Sequence, residues 1–278
     1  MLGISVIMLY PIFRAIELSF YRAELMGTGI GAQFVGLNNY LLMLSDSGFW
    51  SSIYLTFVYT VGTVVGAYVV GLYTAMLVNR PFPGRALARA IIILPWAVPD
   101  LAAVLSFRWI FDPQYGILNY TLSLLGVMTT SKTWLSDHSL ALPAVLVVTI
   151  WKWFPFSSLM LLAGLQTIPN ELYEAAAIDG ANAADRFLHV TIPGLKSINT
   201  ILFLLLTIWS FGNFVIIYVL TAGGPARSTE TIAIQLYLRA FKFSQVGYAA
   251  TLGVAILVAA VVFSVAYFRV AVREERLL

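Results

Sequence analysis

Cysteine is absent from this sequence, which removes disulfide frameworks and thiolate metal or redox sites from consideration. Lysine is scarce, and none of Lys132, Lys152, Lys196 and Lys242 follows a glycine, so the Gly-Lys-Ser/Thr phosphate loop is missing. The two histidines, His138 and His189, do not form an H-E-x-x-H zinc site, and no G-x-S-x-G nucleophile elbow occurs. Neither catalysis nor a bound metal is expected of this chain. Charge is the largest deficit: Asp, Glu, Lys and Arg make up 10% of the residues, against about 25% in soluble domains.

What fills the sequence is apolar. Hydrophobic residues make up 60% of its 278 positions, and the mean hydropathy is +0.88. That composition describes a polytopic membrane protein. The net charge of +3 does not imply nucleic acid, because Lys and Arg accumulate on the cytoplasmic loops of membrane proteins. A spanning helix needs about 20 mostly apolar residues. Charge-free stretches lie between Asp46 and Arg80, between Lys196 and Arg227, and between Lys242 and Arg269. They predict helices near 51–78, 198–220 and 246–268. Residues 90–110 and 140–164 are apolar but for Asp100 and Arg108 in the first and Lys152 in the second, and residues 1–20 make a weaker span. The expectation is an all-α protein, one transmembrane domain over 1–278 with about six helices. The apolar start runs into Pro11, Arg14 and Glu17 without a small-residue cleavage site, and a longer native start stays open.

Arginines set the orientation. Arg80, Arg85 and Arg89 crowd one short link, Arg269, Arg273 and Arg276 crowd the tail, and Arg186 and Lys196 lie in the loop 165–196. Six crossings put these regions on one side, which the positive-inside rule makes cytoplasmic. On the other side, residues 21–50 carry Gly27, Gly29, Gly31 and Gly36, and Gly223-Gly224-Pro225 stops the fifth helix. The stretch Thr231 to Phe241 predicts a helix lying at the outer surface.

Residues 174–193, EAAAIDGANAADRFLHVTIP, are soluble-looking and charge-bearing between two apolar runs. They read as a helix, a breaker at Gly180, a second helix and then Pro193. Ala175, Ala176 and Ala177 permit close approach to a partner at low side-chain entropy cost. Glu174 and Asp179 offer acceptors, and Leu172, Ile178 and Phe187 offer apolar anchors. His189 reads as a surface or interface residue. The loop is read as a docking element.

At membrane depth an ionisable group costs roughly 2.5–3.5 kcal/mol on insertion scales, so it faces a cavity or a partner. Two readings stay open for Asp100 and Lys152: contact with a solute's hydroxyls, or pairing with each other or a neighbouring subunit. Pro95, Pro99 and Pro155 break or kink the same helices. Trp96, Trp151, Trp153, Phe154 and Phe156 cluster nearby, suited either to stacking on sugar C–H faces or to packing. Trp209, Ser210, Asn213 and Phe214 form a second polar–aromatic patch, with Gly212 beside it permitting close approach. Asn213 is the preferred solute contact, and a helix–helix hydrogen bond is the equal alternative.

Glu174-Ala175-Ala176, Asp179-Gly180-Ala181, Phe187 and Pro193 resemble the EAA loop of ABC importer permeases, with Val190 and Ile192 in its aliphatic places. FVGLNNY at 34–40, LPWAVPD at 94–100, AGLQTIP at 163–169 and YVLTAGGP at 218–225 extend the resemblance over nearly the whole chain, to MalF-like permeases of carbohydrate ABC importers. The resemblance implies a type I permease fold in the bacterial or archaeal cytoplasmic (inner) membrane. It implies alternating access and a coupling role for Glu174, Ala175, Ala176, Asp179, Gly180, Phe187 and Pro193 on an ATPase. Substrate-pathway candidates are Asp100, Lys152, Trp151, Trp153, Asn213 and Phe214. The implied partners are a second permease, two ATPase subunits carrying the ATP and Mg, and an extracytoplasmic sugar-binding protein whose contacts include the TAGGP loop and the segment 231–241. Rival readings are a permease of the same type for glycerol phosphate or a polyol, and a stand-alone secondary transporter.

Overall fold

The computed structural model describes residues 2–26 and 29–275, with side chains for residues 7, 9–25 and 31–269. Met1, Gly27, Arg276 and the side chain of Arg273, which entered the sequence reading, lie outside the described residues. Helix α1 (Leu2–Ser19) leads into an antiparallel hairpin, β1 (Tyr21–Met26) and β2 (Gly29–Phe34), in which Tyr21 faces Phe34 and Met26 faces Gly29. Then follow α2 (Asn38–Ser45), α3 (Ser47–Asn79), α4 (Arg85–Ala97), α5 (Asp100–Ile110), α6 (Ile117–Leu124) and α7 (Ala141–Leu165). The loop region holds α8 (Asn170–Ile178), α9 (Ala183–Arg186), a π-helical turn (Phe187–Thr191) and α10 (Ile192–Gly194). The chain closes with α11 (Lys196–Phe211), α12 (Val215–Thr221), α13 (Ile232–Tyr237), a second π-helical turn (Leu238–Lys242) and α14 (Val246–Glu275).

The hairpin occupies what the sequence presented as a glycine-rich connection. Its pairing with the chain before α14 fixes it: Leu25 N–H donates to Ser244 O at 3.1 Å, and Glu24 bridges to Gln245. Asn39, buried within the FVGLNNY motif, donates from its amide to Ser19 O and Tyr21 O, both at 2.9 Å, and so ties α2 to the start of the hairpin.

Among the described residues, α3, α7 and Val246–Arg269 of α14 are continuous helices long and apolar enough to cross a bilayer. Two further stretches pass that test only as bent pairs. The expected single span at 90–110 is α4 and α5, bent by 94°, and α9–α10 meets α11 at 68°. The expected span at 198–220 is also interrupted, between α11 and α12, at Gly212 and Asn213.

The chain packs as two compact units, one of Met1–Tyr59, Thr133–Leu142 and Phe211–Leu278, the other of Thr60–Lys132 and Pro143–Ser210. The second holds a core of Ala67, Leu72, Leu161, Leu165, Leu202 and Leu206. Within it α3 lies close against α7 through a small-residue stripe. A Cβ on Gly62 would stand 3.0 Å from Leu146, and one on Gly71 would stand 2.5 Å from the Cβ of Ser157. Lipid tails are as apolar as leucine, so close van der Waals packing of this kind is what holds helices together in a bilayer. In the first unit Met43, Phe49, Ile232 and Leu252 form a second core.

Candidate functional site

The bend between α4 and α5 begins with proline chemistry. Pro95 removes one bond from the α4 ladder, and Pro99 disfavours the helical region for the residue before it. Val98 is accordingly extended at φ −70°, ψ 132°, and Pro99 continues at φ −56°, ψ 140°. Such a break frees carbonyls at membrane depth, and each needs a donor. Lys152 on α7 supplies them. Its ammonium donates to Pro95 O at 3.1 Å, to Trp96 O at 3.2 Å and to Val98 O, and stands 3.2 Å from the Asp100 carboxylate in the first turn of α5. The lysine side chain is 6% exposed and the aspartate 50%. One cation thus faces the negative end of α4 and the carboxylate that opens α5, a position the helix dipole favours. Of the two readings left open, the geometry places the pair together.

The aromatic residues of this unit form a run. Trp96 packs on Phe156 at 6.3 Å between ring centroids, Phe156 on Trp209 at 4.8 Å, and Trp209 edge-on to Trp153 at 6.0 Å. Trp151 sits apart from the run, edge-on to Phe107 at 5.0 Å. Trp96 is exposed, whereas Trp151 and Trp153 are half-buried.

At the interruption between α11 and α12, Asn213 donates its amide to the hydroxyl of the buried Tyr59 at 2.8 Å. Nothing lies within 4 Å of a Cβ built on Gly212, so close approach does not explain that glycine. Phe214 stacks on Tyr218 at 4.9 Å and meets Tyr237 at 4.7 Å. The Tyr237 hydroxyl is pushed above its ordinary range, first by its hydrogen bond with Tyr218. Helix α13 forms where the sequence predicts a helix, but it is sunk rather than laid on a surface: Ile232, Ile234 and Gln235 are all buried.

The loop from 170 to 195 is built as the sequence reads, with one correction of facing. Helix α8 has no buried residue, and Glu174 and Ala175 are exposed while Ala176 is half-buried. Asp179 ends α8, and Gly180 turns the chain at φ +83°, a left-handed conformation that costs a glycine nothing. Asn182 opens α9 by accepting from Ala184 N at 2.8 Å and Asp185 N at 3.1 Å, while Asp185 accepts from Asn182 N at 3.1 Å. This capping box satisfies donors that a helix start leaves free. Its N-x-x-D spacing was visible in the sequence and went unread. His189 is exposed, its Nδ1 lying 2.9 Å from Asp185 O. Pro193 lies in α10, and α11 begins at Lys196.

Phe187 does not face outward with Leu172 and Ile178. It is half-buried and packs with Tyr173, Val190 and Ile192 against the core of its own unit, where the Tyr173 hydroxyl meets Thr191 Oγ1 at 3.1 Å. The residues presented outward are Leu172, Ile178 (87% exposed) and Leu188. Leu188 was missed. It directly follows Phe187, and successive side chains on a helical turn point in different directions, so Leu188 lies off the face that Phe187 buries.

Comparison with known proteins gives this arrangement a family. The chain is 37% identical over 267 residues to the sulfoquinovosyl glycerol transport system permease protein SmoG of Agrobacterium fabrum, covering 96% of this chain and 86% of that one. It is 38% identical to the trehalose/maltose transport system permease protein MalF of Thermococcus litoralis, over 85% of this chain and 79% of that one. To the sn-glycerol-3-phosphate transport system permease protein UgpA of Agrobacterium fabrum it is 31% identical, over 94% and 87%. A chain of a bacterial alginate ABC transporter, solved with an alginate pentasaccharide-bound periplasmic protein, has the same fold, with a TM-score of 0.81 at 19% identity over 96% of this chain and 89% of that one. Residues 67–275 match the model of the binding-protein-dependent transport system inner membrane components, and the chain belongs to that family of multi-pass ABC importer permeases.

Proposed function

We propose that this chain is one permease subunit of an ATP-driven sugar importer and docks a cytoplasmic ATPase through the loop at 170–195. One observation carries the docking: α8 has no buried residue, and Leu172, Ile178 and Leu188 stand exposed on a loop whose base is fixed by Phe187, Val190 and Ile192. A loop that merely connected two helices would not need apolar residues presented outward from an anchored base. Glu174 and Asp179 add acceptors beside them. ATP and Mg²⁺ are bound by the partner ATPases, a second permease completes the pathway, and an extracytoplasmic binding protein delivers the solute.

A sugar or glycoside is the favoured cargo, by similarity to permeases named for such solutes and by the run of Trp96, Phe156, Trp209 and Trp153. The glycerol phosphate reading, supported by the similarity to UgpA, asks for a free cation at membrane depth. Lys152 is already engaged by three carbonyls and Asp100, which leaves Arg108, exposed on α5, as the cation such a solute would use. The Glu174→Lys variant tests the docking. It should insert normally yet fail to co-purify the ATPase, with uptake lost. Normal ATPase association together with full uptake would sink the proposal.

A further inference from the structure

Behind the turn at 222–227 lies a pocket of about 360 Å³ lined by Gly223, Arg227, Glu230, Gln235, Arg239 and Lys242, among others. All of these belong to one compact unit and lie outside the long apolar helices. Its charges are unequally engaged. Arg227 holds Glu230 in a fork, Nε to Oε2 at 2.9 Å and Nη2 to Oε1 at 2.7 Å. Its guanidinium lies where a Cβ on Gly48 would be, 2.6 Å from either terminal nitrogen, so Gly48 leaves it room. Arg239 pairs with Asp46 at 2.9 Å, donates to Gln245 at 3.0 Å and covers the Tyr248 ring at 5.0 Å. Lys242 is exposed and, among the described residues, carries no ion pair.

Gln235 supplies an independent sign of a ligand. It is 1% exposed, it lines this pocket, and neither its amide nitrogen nor its amide oxygen has a hydrogen-bond partner. A buried amide left unsatisfied is costly, which calls for a partner that arrives from outside. The two guanidiniums already face carboxylates, so what remains is one unpaired cation and both ends of the Gln235 amide, a donor and an acceptor. A single carboxylate can take the cation and the amide donor together in charge-assisted bonds.

We propose that this pocket receives an aspartate or glutamate side chain of the extracytoplasmic binding protein. The carboxylate accepts from Gln235 Nε2 and pairs with Lys242. The proposal rests on the importer reading above, and it assigns a socket and a charge to the contact. Arg227 and Arg239, held by their own partners, line the walls without being displaced.

The test uses the full complex in nanodiscs, with ATPase rate followed against binding-protein concentration. Gln235→Leu, close in size and apolar, removes the orphan amide; Lys242→Glu reverses the free charge at an exposed position where folding is not at stake; Lys242→Arg restores it. The first two should raise the half-maximal concentration about tenfold, and Lys242→Arg should return it to the wild-type value. The wild-type value should also rise with salt, and the Lys242→Glu value should not. Unchanged half-maximal concentrations in both Gln235→Leu and Lys242→Glu overturn the socket while leaving the importer reading intact. An effect present only in nanodiscs containing phosphatidylglycerol, and absent in phosphatidylcholine alone, assigns the pocket to lipid and overturns the proposal. A wild-type complex that no binding protein stimulates overturns the importer reading, and the socket with it.

Discussion

At residues 95–99 the chain interrupts an apolar run and closes the gap with a buried charge, whereas at 212–214 it interrupts another and closes it with a neutral amide. The first break turns the chain by 94° and leaves carbonyls of Pro95, Trp96 and Val98 facing one lysine. At the second, the Asn213 amide donates to the Tyr59 hydroxyl. The difference follows from backbone demand. Two prolines remove donors and force an extended residue, and an ammonium with three protons can serve several acceptors at once. A Gly-Asn break removes no backbone donor, and a neutral side-chain amide attends it.

The largest expected effect comes from breaking the charged clamp. Lys152→Met fills the same volume but strands three carbonyls and the Asp100 carboxylate, and removing one partner of a buried charge cluster costs about 3–5 kcal/mol. We expect little folded protein in detergent extracts, measured by size-exclusion yield and thermal unfolding. Adding Asp100→Asn to Lys152→Met should recover less than half of the loss, because Asp100 is half exposed and the carbonyls remain orphaned. Recovery to wild-type stability in the double variant would show that the ion pair, not the carbonyls, holds the bend.

The neutral break should yield a smaller number. Tyr59→Phe leaves the ring in place and removes the acceptor for Asn213, at a cost of about 1–3 kcal/mol if the amide stays dry. Thermal unfolding of the purified chain would measure it. A loss as large as that of Lys152→Met would erase the distinction between the two breaks.

How much of this was readable beforehand differs along the same lines. Pro95 and Pro99 announced the first break, and Asp100 and Lys152 announced that something charged attended it. That the lysine serves carbonyls as well as the aspartate was not readable, because backbone acceptors carry no residue label. The second break was hidden, since Ser210, Gly212 and Asn213 lower the local hydropathy without a proline or a charge to mark a break. The hairpin at 21–34 was hidden for a related reason. Its strands are pinned by Ser244 and Gln245, more than two hundred residues away in the chain. The loop at 170–195 was the most legible part, because its helices are set by local signals such as Gly180 and the Asn182 cap. Which side of it faces outward was not, because that depends on the core of the unit, against which Phe187 packs along with Tyr173, Val190 and Ile192.

Gly180 extends the comparison to a break in an exposed turn, closed by the backbone bonds Gly180 N–H to Ala177 O at 3.1 Å and Ala181 N–H to Ala176 O at 2.9 Å. Its φ of +83° costs an ordinary residue about 1–2 kcal/mol, and asparagine less. A Cβ there meets nothing within 4 Å, so size alone is harmless to the chain's own fold. Helix α8 has no fully buried residue and meets the core through the half-buried Tyr173, so part of the strain in a Gly180→Val variant can be relieved by tilting α8 rather than by unfolding. Stability should therefore fall by less than the full conformational cost, while ATPase association, which depends on that angle, should be lost. Gly180→Asn is of similar bulk but tolerates the left-handed conformation, and it should keep the ATPase bound. Retention by asparagine and loss with valine in one co-purification assay would show that the backbone angle sets the docking. Loss with both would place a partner surface directly against Gly180, and retention with both would mean that the turn angle does not matter to the coupling.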